Sequence, residues 1–167
     1  MTVAVIILAV MAAVAIPHFM PAEESELDLA TLEYANAFRF ARSEAMRLGE
    51  PRGVHPQPAQ KRVRVFRPDT GVSPWTPVYD VYHPVSKKLY DLQLDAHPFA
   101  NADSVSLTPV FRGTCDQAEM IYFDPGGVPR CIDPETVLLD SLTLTVTLGG
   151  VSRVVLLNGI SGQVSLQ

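Results

Sequence analysis

Three histidines, His55, His83 and His97, each stand directly before a proline, which biases all three to extended or turn segments. Together they would offer imidazoles to a zinc-like metal, but their spacing matches neither the H-E-x-x-H helix nor a paired-cysteine site. Imidazoles exposed on loops are the simpler reading. Asp124, Asp133 and Glu135 lie around the turn Asp124-Pro125-Gly126-Gly127 and offer the oxygen ligands that calcium takes. No EF-hand loop surrounds them, however, and aspartate is an ordinary turn residue. The same turn lacks the Lys-Ser/Thr pair of a phosphate-binding loop. No serine sits in a G-x-S-x-G elbow, and no Cys-His arrangement for nucleophilic catalysis is readable. The expectation is a protein without catalytic residues, metal or cofactor. Cys115 and Cys131 are the only cysteines; they are either a disulfide, the natural pairing outside the cytoplasm, or two buried thiols.

The elements that carry these residues differ sharply along the chain. Its 167 residues allow one domain of ordinary size, with or without an extra segment. A net charge of -5, from 13 basic and 18 acidic residues, argues against a protein whose main task is coating nucleic acid. No charged residue precedes Glu23, and Val3 to Ile16 is an unbroken apolar run, with Val3, Ile6, Leu8, Val10, Val14 and Ile16 as its bulk and Pro17 at its end. About 20 apolar residues cross a bilayer. Residues 1-22 are therefore expected to be a transmembrane helix half. A cleavable signal with Ala13-Val14-Ala15 as its cut site competes, but no positive n-region precedes it. A buried soluble helix apolar on all faces would need a larger core than this chain supplies.

Residues 23-50 read as an amphipathic helix. Ser25 is placed as its N-cap, with Glu23, Glu24, Glu26 and Asp28 in the first turns, where the helix dipole favours negative charge. Leu27, Ala30, Tyr34, Phe38, Ala41, Ala45 and Leu48 recur at three or four positions and form one apolar stripe. Arg39, Arg42 and Arg47 occupy the last turns as dipole partners and solvated surface, Gly49 offers the C-cap, and Pro51 prevents continuation. With only Pro17 and Pro21 interrupting, the two halves together would make a kinked rod of about 70 Å.

Residues 51-167 change to a period of two and read as a β-rich head. Strands are expected at Arg62 to Phe66, Val78 to Tyr82, Leu89 to Leu94 and Met120 to Phe123. Leu142 to Leu148 alternates with threonines, Gly149-Gly150 turns into Val151 to Leu157, and Asn158-Gly159 turns into a last strand over Ile160 to Leu166. This meander should pack on the helical stripe, with Tyr34, Phe38, Ala41 and Ala45 against the Leu142 to Leu148 face. The fold class is α+β: a long N-terminal helix on a C-terminal antiparallel β-rich domain.

An apolar start ending in Ala12-Ala13-Val14-Ala15-Ile16-Pro17, continuous with a long amphipathic helix and followed by a β-rich domain, resembles the type IV pilin and pseudopilin superfamily. Ala41-Arg42-Ser43-Glu44-Ala45, with Gly49 four residues on, is similar to the helix signature of its GspH/FimT group of minor pilins. Met120 to Gly127 is similar to that group's hydrophobic-F-x-P-x-G turn, and Ile160-Ser161-Gly162-Gln163-Val164 to its closing strand. The resemblance implies the pilin fold and a structural subunit of a type IV pilus or type II secretion filament, in its tip or initiation complex. It implies other pilins as partners through the N-terminal helix, the inner-membrane assembly platform, and the lipid bilayer before assembly. It places the chain as a single-pass protein of the bacterial inner membrane with its head in the periplasm. The cysteine pair tilts it toward the pilus members. Aligned on Pro17, Met1 falls just after the glutamate that family members carry near the mature N-terminus, so leader cleavage, methylation and that glutamate's contact map to no residue here. Two other classes compete. A DNA-uptake minor pilin would need a basic C-terminal strand, which Gly162 to Gln167 lacks, and a membrane-anchored or secreted enzyme would need a catalytic constellation.

Overall fold

The computed structural model describes residues 22–93, 106–113, 115, 119–132 and 137–167. The expected membrane segment, from Val3 to Pro17, and His97, Asp133 and Glu135 lie outside them. Among the described residues no helix is long and apolar enough to cross a membrane.

One helix, α1 (Ala22–Leu48), carries the stripe. Leu27, Ala30, Tyr34, Phe38, Ala41 and Ala45 are all buried, as are Thr31, Ala35 and Ala37 between them. The buried face is wider than a single stripe because the helix meets two sheets at once. Leu48, the last expected member, is instead exposed, since it lies past the point where the sheets cover the helix. Ser25 stands within the helix and is not its cap. The other end follows expectation: Gly49 adopts φ +68° and donates its N–H to the Ala45 carbonyl at 3.0 Å, a left-handed closure that costs glycine little.

Among the described residues ten short strands follow, and every pairing between them is antiparallel. They are β1 (Arg52–Gln57), β2 (Arg62–Asp69), β3 (Thr76–Val78), β4 (Asp91–Gln93), β5 (Ser106–Arg112), β6 (Ile121–Phe123), β7 (Pro129–Cys131), β8 (Ser141–Leu148), β9 (Val151–Asn158) and β10 (Val164–Leu166). The first sheet runs β3-β2-β1-β6-β7, with β4 also on β2; the second runs β10-β9-β8-β5. Leu142, Leu144, Val146 and Leu148 of β8 are buried while the threonines between them are half-buried, as alternation on a one-sided sheet requires. Helix α1 touches β8, β9 and β10, and also β1, β2 and β6 of the first sheet. The expectation that the stripe faces β8 is thus half of the arrangement: Val54, Val63, Val65, Ile121 and Phe123 complete the same core.

Three expected strands change; Leu89 to Leu94 is shortened to Asp91–Gln93, with Leu94 outside the described residues. Of Val78 to Tyr82 only Val78 lies in a strand, β3 (Thr76–Val78), and Tyr82 makes an isolated bridge to Leu89. The return strand is confined to Val164–Leu166, because residues 159–162 form a turn held by Asn158: its side-chain oxygen accepts the Ile160 and Ser161 N–H groups, and its carbonyl accepts Gly162 N–H. A second, smaller core lies on the other face of the first sheet. Phe66, Tyr122 and Ile132 are buried there beneath Trp75, Tyr79 and Met120, since each of Phe66 and Tyr122 follows a residue that faces α1.

Cys115 and Cys131 are joined in a disulfide that fixes the segment after β5 to β7. Closing a loop with a sequence separation of 16 stabilises by about 3 kcal/mol in the chain-entropy model. Protein recovered from an oxidising compartment should show a mass two hydrogen atoms short that is restored by reduction. The Cys115→Ser, Cys131→Ser variant should unfold at lower urea by that margin, and alkylation of both thiols without reductant would contradict the bridge.

Candidate functional site

Three chain segments far apart in sequence meet at the C-terminal half of α1: its Ala41 to Gly49 stretch, the turn from Asp124 to Gly127, and the turn from Asn158 to Gly162. Arg42 lies between them. Its Nε donates to the Gly127 carbonyl at 3.2 Å. Gly127 (φ +77°) sits so close to the helix that a Cβ there would be 2.8 Å from Met46 Sδ and 3.2 Å from Arg42 Nε. Gly162 (φ +64°) likewise brings its backbone onto the Gly127 carbonyl and the Arg42 side chain. One turn earlier, Arg39 donates to the Val164 carbonyl and to Asn36 Oδ1, both at 3.3 Å. Arg42, half-buried, is therefore a tertiary clamp, whereas Arg39 remains exposed as expected while also reaching the Val164 carbonyl. Ala41 and Ala45 are small because the sheets approach the helix there, and both are fully buried.

The other residues of the stretch serve the helix. Glu44 takes a bidentate contact from Arg47, 2.6 Å at its shorter arm, a surface pair of the kind worth less than about 1 kcal/mol. Ser43 is exposed. Removing the Arg42 guanidinium leaves a buried carbonyl without its charged donor, so Arg42→Ala should cost about 1 to 3 kcal/mol in urea unfolding. Ser43→Ala should stay within about 0.5 kcal/mol of the parent. Equal losses in the two would contradict the clamp.

Asp124 spends its carboxylate on its own turn. Oδ1 accepts the Gly126 and Val128 N–H groups at 2.9 and 3.0 Å, and Oδ2 accepts Arg130 Nε at 2.9 Å. Burial pushes its pKa up, but the Val128 N–H, Arg130 and the Gly126 N–H outweigh that and hold it below the ordinary carboxylate value. This carboxylate is engaged in turn chemistry, and among the described residues no group of three potential ligands gathers around a metal position.

The two described candidate histidines also serve local structure. His55 Nδ1 lies 2.5 Å from the Tyr79 hydroxyl, and the Arg64 guanidinium stacks 3.5 Å over the Tyr79 ring. Burial lowers the His55 pKa; Glu119 opposes that, while Arg64 and Arg62 add to it. A cleft of about 660 Å³ opens beside it, lined by Pro56, Pro58, Pro109, Phe111 and Glu119 among others. Among the described residues that line it, His55 and Glu119 are the titratable ones. His83 Nδ1 accepts the Val85 and Ser86 N–H groups, each at 3.2 Å, and so shapes its own turn.

A two-sheet head packs on one amphipathic helix, with Arg42 reaching the Gly127 carbonyl and Arg39 the Val164 carbonyl. No family model matches the sequence, and no curated protein matches it. Solved structures do. The minor pseudopilin EpsH of the Vibrio cholerae type II secretion system aligns over 85% of this chain and 93% of its own, with a TM-score of 0.58 at 13% identity. The type IV minor pilin FimU of Pseudomonas aeruginosa aligns over 87% and 90%, with a TM-score of 0.54 at 16% identity. GspH of E. coli aligns over 92% and 94%, with a TM-score of 0.52 at 12% identity. The chain has the type IV pilin and pseudopilin fold in its GspH-like form.

Proposed function

We propose that this chain is a minor pilin or pseudopilin, a structural subunit of the tip or initiation complex of a type IV pilus or type II secretion filament. The observation that carries the reading is the fold itself: α1 with its two-sheet head aligns over most of the length of a minor pseudopilin and a minor pilin. The apolar residues 1-22 would anchor the chain in the inner membrane with the head in the periplasm. The same segment would enter the filament interior on assembly, since a helix apolar all round suits both surroundings. Its partners are then other pilins, the assembly platform and, beforehand, lipid. In the parent bacterium, tagged full-length chain should fractionate with the inner membrane and with sheared filaments, and its deletion should reduce piliation or secretion. Recovery of intact chain in the soluble fraction without detergent, or unchanged assembly on deletion, would overturn the reading.

The DNA-uptake alternative needs free cations. Arg62 and Arg64 both lie 3.5 Å from Asp91, and Arg67 lies 3.0 Å from Asp80, so these arginines are partly neutralised. With few phosphate contacts, each adding a salt slope of about -0.9, no gel shift of single- or double-stranded DNA is expected at micromolar protein and physiological salt. A shift abolished by replacing the three arginines together would restore the DNA reading.

A further inference from the structure

All ten arginines of the chain lie among the described residues, and seven of them meet a carboxylate there. Arg39, Arg42 and Arg112 do not. Two of those three, Arg39 and Arg42, stand about one turn apart on α1 and line the same groove, of about 450 Å³, beside the chain from Gly162 to Val164. Among the described residues that line it, none carries a carboxylate. In a chain with 18 acidic residues against 13 basic ones, a groove walled by two unmatched cations differs from the rest of the surface, where arginine and carboxylate meet in pairs.

The two guanidiniums are held in place without being used up. Each has five N–H donors. Arg42 gives Nε to the Gly127 carbonyl at 3.2 Å, while Arg39 gives Nη1 to Asn36 Oδ1 and Nη2 to the Val164 carbonyl, both at 3.3 Å. Neutral acceptors position the forks and leave their charge unmatched. A ligand then has less side-chain freedom to remove on binding. Ser43 and Gln163 add a hydroxyl and an amide to the groove, and Met46, 53% exposed, adds an apolar wall for a methylene stem. Arg39 and Arg42 both precede the last turn of α1, where the helix dipole would oppose an anion.

We propose that this groove is an oxyanion site that takes the glutamate or aspartate side chains of an acidic segment in a partner protein. A guanidinium matches a carboxylate with two parallel N–H donors, and such charge-assisted bonds are the strong ones. A nucleic-acid strand suits it less, because its affinity grows with the number of phosphates neutralised, and the groove offers two cations on a chain of net charge -5. The inference deepens the subunit reading, on which it rests only for the partner's identity. Its test needs no filament, so its failure would leave that reading standing.

The test is an NMR titration of the full-length chain, isotope-labelled at arginine, in a non-ionic detergent. The probe is a blocked tetraglutamate peptide, with its tetraglutamine analogue as the neutral control. The Nε–H signals of Arg39 and Arg42 should shift saturably with the first and stay still with the second. Arg112, unmatched but outside the groove, should not respond. Arg39→Gln should weaken peptide binding about tenfold, the effect of losing one charged hydrogen bond, and Arg39→Lys should recover only part of that loss. Arg39 is exposed, so both variants should fold, and the signals of the seven paired arginines report whether they do. Absence of a saturable shift, an equal response to tetraglutamine, an equal shift of Arg112, indifference to Arg39→Gln, or displacement of the peptide by an oligothymidylate at equal concentration would each overturn the proposal. Absence of the chain from sheared filaments would count against the subunit reading alone.

Discussion

Phe38→Ala is expected to lower the stability of the chain by about 3 to 5 kcal/mol, the range for emptying an aromatic site in a close-packed core. Phe38 is fully buried in the cluster that joins α1 to both sheets. The same cluster holds Val54, Val63 and Val65 of the first sheet and Leu142, Leu144, Val155 and Leu157 of the second. Partial collapse of one sheet toward the hole would pull it from the other, so relaxation recovers little. Leu32→Ala, on the exposed side of the same helix, should cost less than about 1 kcal/mol. Urea unfolding of both variants, in detergent if residues 1-22 require it, decides the matter. A loss below about 1 kcal/mol for Phe38→Ala would mean that the stripe faces a neighbouring subunit or solvent.

The helix and the late meander were legible because each repeats one period for long enough. The apolar positions from Leu27 to Ala45 sustain a 3.6 period over five turns, and Gly49 with Pro51 marks the end chemically. Leu142 to Leu148 sustains a period of two, and Gly149-Gly150 names the turn. Strands β1, β5 and β7 were not legible, because Gly53, Pro56, Pro109 and Pro129 interrupt them. Those residues read as loop in isolation and are tolerated here by local pairing and sheet edges. Val78 to Tyr82 misled in the opposite way: it alternates, but Tyr79 turns out to serve the outer aromatic cluster and Tyr82 an exposed bridge to Leu89.

The junction around Arg42 was legible only as a pattern of letters. Ala41 to Gly49, the Gly126-Gly127 pair and Gly162 each stood out, but sequence offers no distance between them. Arg42 at a helix C-terminus has a sufficient local explanation in the dipole, so its reach to Gly127 was hidden by a cheaper account. The signal available was the glycines, since a left-handed turn glycine permits close backbone approach where any Cβ would collide.

Gly53→Ala is the substitution with the second large expected effect, and it tests the part of the fold that the sequence did not reveal. Gly53 pairs with Phe66 of β2 on one side and Tyr122 of β6 on the other. The Phe66 ring lies directly over the Gly53 backbone, so that a Cβ at position 53 would fall among its ring carbons. Phe66 itself is fully buried in the cluster that Trp75 and Tyr79 pack against. Adding one methyl should therefore cost about 3 kcal/mol or more, the upper end for overpacking, by displacing the ring and the aromatic layer above it. The chain's single tryptophan makes this readable: Trp75 packs 5.2 Å from the Tyr122 ring centre, so its emission should shift before the far-ultraviolet signal changes. Phe66→Leu alone should also destabilise, by leaving the outer core underfilled. Combined with Gly53→Ala it should cost less than the sum by about 1 to 3 kcal/mol, because the new methyl enters space the ring has vacated. Losses that add within about 0.5 kcal/mol would mean that ring and glycine are not in contact, and the outer aromatic core would have to be placed elsewhere on the sheet.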